Sequence, residues 1–155
     1  MWKAFQRYRT LDPEARSLFG QAVILLLRVS ISLRSRGFKK TKEALEKKLL
    51  SVPASELPGP LPGEKVQKTC RMVKAAARYG FVRPTCLVES LALWYLLQKQ
   101  GIPALLRIGV RKSSEKFDAH AWVESQGSAL NQTEEQHQHY AAFDTGFSDL
   151  TGEKP

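Results

Sequence analysis

The stretch RPTCLVESLALWYLLQKQG, residues 83 to 101, decides the fold of this chain. Arg83 and Pro84 sit poorly in a helix interior and Thr85 is a good N-cap, so Cys86 falls at about the first helical position. Beyond it Leu87, Val88, Leu91, Ala92, Leu93, Trp94, Leu96 and Leu97 occupy so many angular positions that this helix must be buried on most sides. A central helix holds its first residue rigidly. Unpaired backbone N–H groups and the helix dipole stabilise a thiolate at that place, and only the thiolate is the nucleophile. The competing reading is an inert core cysteine, the commoner use of a free thiol.

A chain of 155 residues with 43% hydrophobic composition is long enough for one domain with a real core and an appendage. Its two cysteines, Cys70 and Cys86, and the lack of a signal-peptide pattern at its start point to free thiols in a reducing cytoplasm. There are no CxxC pairs, and two of the three histidines fall in the polar run EEQHQH, so neither a metal site nor a cofactor is expected. Gly-rich phosphate loops are absent as well. The net charge of +9 is uneven: residues 1 to 50 carry 12 basic against 4 acidic side chains, and residues 113 to 155 carry 2 against 8. Basicity of this kind suits nucleic acid, an anionic membrane surface or an acidic peptide, and more often it is a solvated face.

Residues 12 to 50 read as helical, with Asp12 as N-cap and Pro13 as first helical residue. The apolar run AVILLL is interrupted by Arg28, so its uncharged length falls below the roughly 18 residues of a bilayer span. Gly37 is expected to break this helix before a second one, KKTKEALEKKLLSV. Four prolines and two glycines in SVPASELPGPLPGEK mark a connection. The domain reading is accordingly a basic helical arm over 1–52, a connection over 53–64, a core over 65–150 and a tail over 151–155. The core opens with a helix whose buried stripe is Val66, Cys70, Val73 and Ala77, ending at Gly80 in the C′ position, and Cys70 is therefore a small core residue.

Beyond Gly101 the period changes to two. PALLRIGV (103 to 110) and FDAHAWVE (117 to 124) read as strands joined by the polar loop RKSSEK, with SALNQ as a third short strand after SQG. Helices first and antiparallel strands after indicate an α+β domain, its central helix packed on a small sheet.

Alternation puts His120, Trp122 and Glu124 on one face of the second strand. A thiol nucleophile needs an imidazole within hydrogen-bond reach and a third group to hold that imidazole in the right tautomer. The hairpin register offers two positions for the third group. A three-residue turn, Ser125 to Gly127, sets His120 opposite Gln132; a two-residue turn at Gln126 and Gly127 sets Asn131 on the histidine face, opposite Trp122. An amide oxygen can accept the Nδ1–H bond but brings no charge to the imidazolium. Glu124 and Asp144 are the acidic alternatives, and Asp144 reaches the site only if YAAFD returns toward it. Trp122 and Glu124 are the candidates for contact with substrate.

These pieces, RPTCLVESLAL, LLQKQGIPALLRIGV, DAHAWVE and YAAFD, in this order over roughly residues 65 to 145, resemble the transglutaminase-like cysteine proteases of lasso-peptide maturation in bacteria. The short basic start resembles the free-standing form, in which leader recognition resides on a separate chain. The resemblance implies a papain-like arrangement with Cys86 as nucleophile and His120 as base. It places the third member after the Asn of a Leu-Asn-Asp segment, where this chain reads Leu130-Asn131-Gln132 and so departs from the pattern at Gln132. It also implies a precursor-peptide substrate, a small leader-recognition protein as partner, and an ATP-dependent macrocycle-forming cyclase acting next, with no nucleic acid involved. Two other classes stand beside it: a non-catalytic peptide-binding module on the same scaffold, and a basic adaptor whose N-terminal helices touch membrane or nucleic acid.

Overall fold

The computed structural model describes residues 11–50, 62–113, 116–131 and 141–142. The element order is α1 (Pro13–Leu50), α2 (Pro62–Tyr79), α3 (Cys86–Lys99), β1 (Leu105–Ser113), β2 (Lys116–Ser125), β3 (Ser128–Ala129) and β4 (Ala141–Ala142). The architecture is α+β, with one antiparallel sheet in the order β3-β2-β1-β4.

Each helix starts and stops for local reasons. Asp12 caps α1 by accepting a hydrogen bond from Ala15 N at 2.7 Å, and that bond holds its carboxyl below the ordinary range, helped by Lys68. Gly37 interrupts α1 with φ 76 and ψ 178, a conformation that favours glycine, so the helix kinks where the sequence places its break. Across the kink the buried Thr41 donates to Gly37 O at 2.7 Å and lies 2.9 Å from Ser32 Oγ. Pro62 occupies the first position of α2, so that helix begins inside the stretch read as connection.

The first limb of α1 buries Ala15, Leu18, Ala22, Leu26 and Val29, a stripe at helical spacing. Ala22, Leu26, Val29 and Leu45 join α2 and α3 in one core with Val73, Ala76, Leu91, Leu93 and Leu97. The basic arm is therefore packed into the domain from residue 15 onward. A window of 18 residues in α1 has mean hydropathy 1.4, which meets the length and apolarity of a bilayer span once up to two charged side chains are admitted, and 22% of that window is buried. Counting the uncharged run alone understates it.

The strands differ from expectation in one place. RKSSEK is not a loop along its length: β1 runs to Ser113 and β2 starts at Lys116, with Ser113 paired to Lys116. The ladder's own hydrogen bonds carry these polar residues into the hairpin. At the next turn Ser125 pairs with Ser128 and Glu124 with Ala129, the two-residue alternative, with Gln126 (φ 52) and Gly127 (φ 78) both in the left-handed region. The three-residue turn is excluded by this register. Residues 1–10 of the arm, positions 53–61 of the connection, Gln132, Asp144 and the tail 151–155 lie outside the described residues.

Candidate active site

The head of α3 is built as its sequence indicates. Thr85 is the N-cap in extended conformation, its hydroxyl accepting from Val88 N at 3.4 Å, and Cys86 is the first helical residue. At the other end Gly101 adopts φ 72, Gly101 N donates to Gln98 O, and Ile102 N donates to Leu97 O, both at 3.0 Å. This double bond pattern around a left-handed glycine is a Schellman ending, which satisfies carbonyls that would otherwise be orphaned. The helix between is buried on nearly every side, including Ser90, Leu91, Ala92, Leu93 and Leu97.

Ser90 ties this helix to the sheet. It donates to Ala121 O at 2.8 Å and accepts from Asn131 Nδ2 at 2.8 Å, while Asn131 Oδ1 accepts from Val123 N at 2.9 Å. Helix α3, strand β2 and the segment after β3 meet at one fully buried hydroxyl. A second tie lies further along, where Ser125 Oγ donates to Pro103 O at 2.7 Å, just past the C-terminus of α3. The two ties fix the direction of β2 as that of α3. Between them α3 rises on the order of 15 Å and β2 on the order of 13 Å, so the elements stay level. Upstream, Cys86 lies one turn before Ser90, roughly 6 Å. His120 lies one residue before Ala121, roughly 3.3 Å. Cys86 and His120 are thus borne by neighbouring elements, each a short way upstream of the bond that joins Ser90 to Ala121.

His120 rests on a supporting stack. Its ring lies 6.2 Å from that of Trp122 between centroids, with an interplanar angle of 18°. The indole N–H of Trp122 donates to Glu124 Oε1 at 2.9 Å, and Arg107 Nε donates to Glu124 Oε2 at 3.0 Å. Trp122 is fully buried and Glu124 is occupied on both oxygens, which places the two residues read as substrate contacts beneath the histidine as its support. Across the ladder His120 faces the buried Gly109, and the imidazole Nε2 is itself buried. Val123 packs with the helical core, so alternation puts the His120 stack on the opposite face of β2.

The positions considered for the third group separate here. By register Asn131 stands opposite Trp122, but the ladder ends at Leu130, which donates to Val123 O at 2.9 Å, and both polar atoms of the Asn131 side chain are engaged with Val123 N and Ser90. Of YAAFD, Ala141 and Ala142 return to the sheet: β4 pairs with β1 at Gly109 and Val110, one strand away from His120. Ser90 was not among the residues singled out from sequence. Its signal is the one serine of α3, one turn after Cys86 in a helix that is apolar along most of its middle.

The two thiols differ in surroundings. Cys70 packs against the core from α2, and burial pushes its thiol up to about 11, with the Glu89 carboxylate acting in the same direction. Cys86 heads α3 and is half-buried.

A cysteine heading a buried helix, clamped to an antiparallel sheet that carries a histidine, is the layout of a scaffold for thiol-based acyl chemistry. The chain belongs to the transglutaminase-like superfamily, whose model matches residues 24–144, from within α1 to just beyond β4. Neither the curated proteins nor the solved structures give a significant match.

Proposed function

We propose that this protein is a cytoplasmic cysteine peptidase that removes the leader from a ribosomally made lasso-peptide precursor. The observation that carries the reading is the Ser90 clamp, which levels the head of α3 with the centre of β2 in a chain of the transglutaminase-like superfamily. In the reaction the Cys86 thiolate attacks the scissile carbonyl carbon, and His120 gives its proton to the leaving amine as the C–N bond breaks. The thioester left on sulfur is hydrolysed by water that surrenders a proton to the same imidazole, which regenerates thiolate and imidazolium. The backbone N–H of Cys86, at a helix start, is the first oxyanion donor. By its place in the sequence, where the resemblance expects an aspartate, Gln132 is the third member of this reading, an amide that could orient the imidazole without adding charge. The leader is presented by a separate recognition protein, and an ATP-dependent cyclase takes the freed core peptide.

The test is incubation of the chain with a precursor encoded beside it and the recognition protein, read by mass spectrometry. Cleavage at the leader boundary is expected, lost in Cys86→Ala and His120→Ala while both variants keep their circular dichroism; unchanged cleavage in Cys86→Ala excludes the reading. The amide at Gln132 favours one rival, a peptide-binding module without catalysis. Gln132→Asp separates them, because a sharp rise in rate marks a working site with a weakened third member.

A further inference from the structure

A well-defined cavity among the described residues lies far from Cys86. It is a groove of about 510 Å³ between the two limbs of α1 and the C-terminal turns of α3, bordered by Tyr95, Leu96 and Lys99. Lys99 lies 13 positions from Cys86 along α3, roughly 20 Å. The groove owes its shape to Gly37, whose positive φ lets the second limb of α1 diverge from the first. Four cations line it, Arg28, Arg36, Lys48 and Lys99, and no carboxylate does. Between those charges its walls are mainly apolar, interspersed with Ser32, Ser35 and Thr41, and Ile24 and Ile31 are 56% and 58% exposed there.

We propose that this groove docks an acidic amphipathic helix of a partner protein, with its apolar stripe against Ile24 and Ile31 and its carboxylates on Arg28, Arg36 and Lys99. Ile24, Arg28 and Ile31 follow one another at spacings of four and three, so they form one continuous stripe that matches the i, i+3, i+4 anchors of a docked helix. A rim of one sign around an apolar floor selects the opposite sign in its occupant. An anionic bilayer would satisfy the cations but is flat, whereas these apolar side chains line a concavity between three helical segments. The inference does not rest on the peptidase reading, and Cys86→Ala leaves docking unchanged.

The experiment measures fluorescence anisotropy of the full chain with an 18-residue probe, leucines on one helical face and glutamates on the other, and with a counterpart carrying lysine for glutamate. The acidic probe is expected to bind at least tenfold more tightly than the basic one and to weaken as salt rises from 50 to 300 mM. Its affinity is expected to fall at least tenfold in Arg28→Glu/Arg36→Glu. Ile31→Gln, at an exposed position, gives the same loss with the charges intact and serves if the double variant fails to fold. Equal binding of the two probes, or no loss in either variant, overturns the proposal. So does binding of phosphatidylglycerol vesicles without binding of the acidic probe, which assigns the groove to lipid. Displacement of the probe by a peptide of residues 143–155 assigns it to the chain's own acidic end, and probe-excluding dimers in sedimentation equilibrium assign it to a second copy.

Discussion

Ser90 Oγ donates to Ala121 O at 2.8 Å, a buried bond across 31 residues of chain that joins the helix headed by Cys86 to the strand carrying His120. Asn131 completes it from the third strand's end. The expected consequence is that Ser90→Ala leaves Ala121 O and Asn131 Nδ2 without their buried partner, at a cost of about 1–3 kcal/mol. Asn131→Ala strands Val123 N in the same way. Because both changes break one network, the double variant should cost less than the two singles together by on the order of 1 kcal/mol. Urea midpoints of the four proteins check this, and strict additivity would refute a shared network. If the clamp also sets the catalytic pair, cleavage by Ser90→Ala falls more than tenfold in kcat with KM little changed.

The two cysteines should part company under alkylation. Burial holds the Cys70 thiol at about 11, so at pH 8 on the order of one molecule in a thousand carries a thiolate there. Iodoacetamide followed by peptide mass mapping is expected to modify Cys86 at least tenfold faster than Cys70. Cys70→Ala should leave cleavage within about twofold of the parent, since core replacements by a small apolar residue perturb packing and not chemistry.

Glu89 gives a stability profile of unusual sign. Burial raises its carboxyl above the ordinary value of 4.5, with Lys74 opposing, so the folded chain holds that proton more tightly than the unfolded one. Stability from this group is present below about 4.5 and declines as pH rises through the raised folded value, the reverse of a salt-bridged carboxylate. Glu89→Gln is expected to have a higher Tm than the parent at pH 7 and to remove that part of the decline. Scanning calorimetry between pH 4 and 7 decides it, and a lower Tm for the variant at pH 7 contradicts the assignment.

The hairpin turn makes a local test. Gln126 and Gly127 both have positive φ, a type I′ pattern that asparagine followed by glycine suits best. Gly127→Ala is expected to cost about 1–2 kcal/mol, the penalty of a Cβ in the left-handed region. Gln126→Asn should stabilise by a few tenths of a kcal/mol, since Asn tolerates that region better than Gln. Thermal melts of both variants measure the pair.

The legible parts of the fold were those that local chemistry fixes. Thr85 as cap, Gly101 as terminator and Gly37 as break could be read because capping and positive φ depend on a residue and its near neighbours. RKSSEK reads as a loop because six polar residues carry no period, and only pairing along β1 and β2 extends Arg111 to Ser113 and Lys116 into strands. The turn after Ser125 admits two registers that differ by one residue, and the sequence holds nothing local to choose between them. Trp122 and Glu124 share the histidine's face as the alternation predicts, and their bonds to each other and to Arg107 make them its support.

From its residues alone this protein determined a buried helix with Cys86 at its head and a strand with His120, Trp122 and Glu124 on one side, since apolar crowding, caps and the two-residue alternation are written within a few positions of each other. The tertiary structure alone decided that Ser90, Ala121 and Asn131 meet, and with them which level of β2 lies beside the head of α3. Hydrogen bonds between positions 31 and 41 residues apart form only after separate elements have packed, and no local period carries that information.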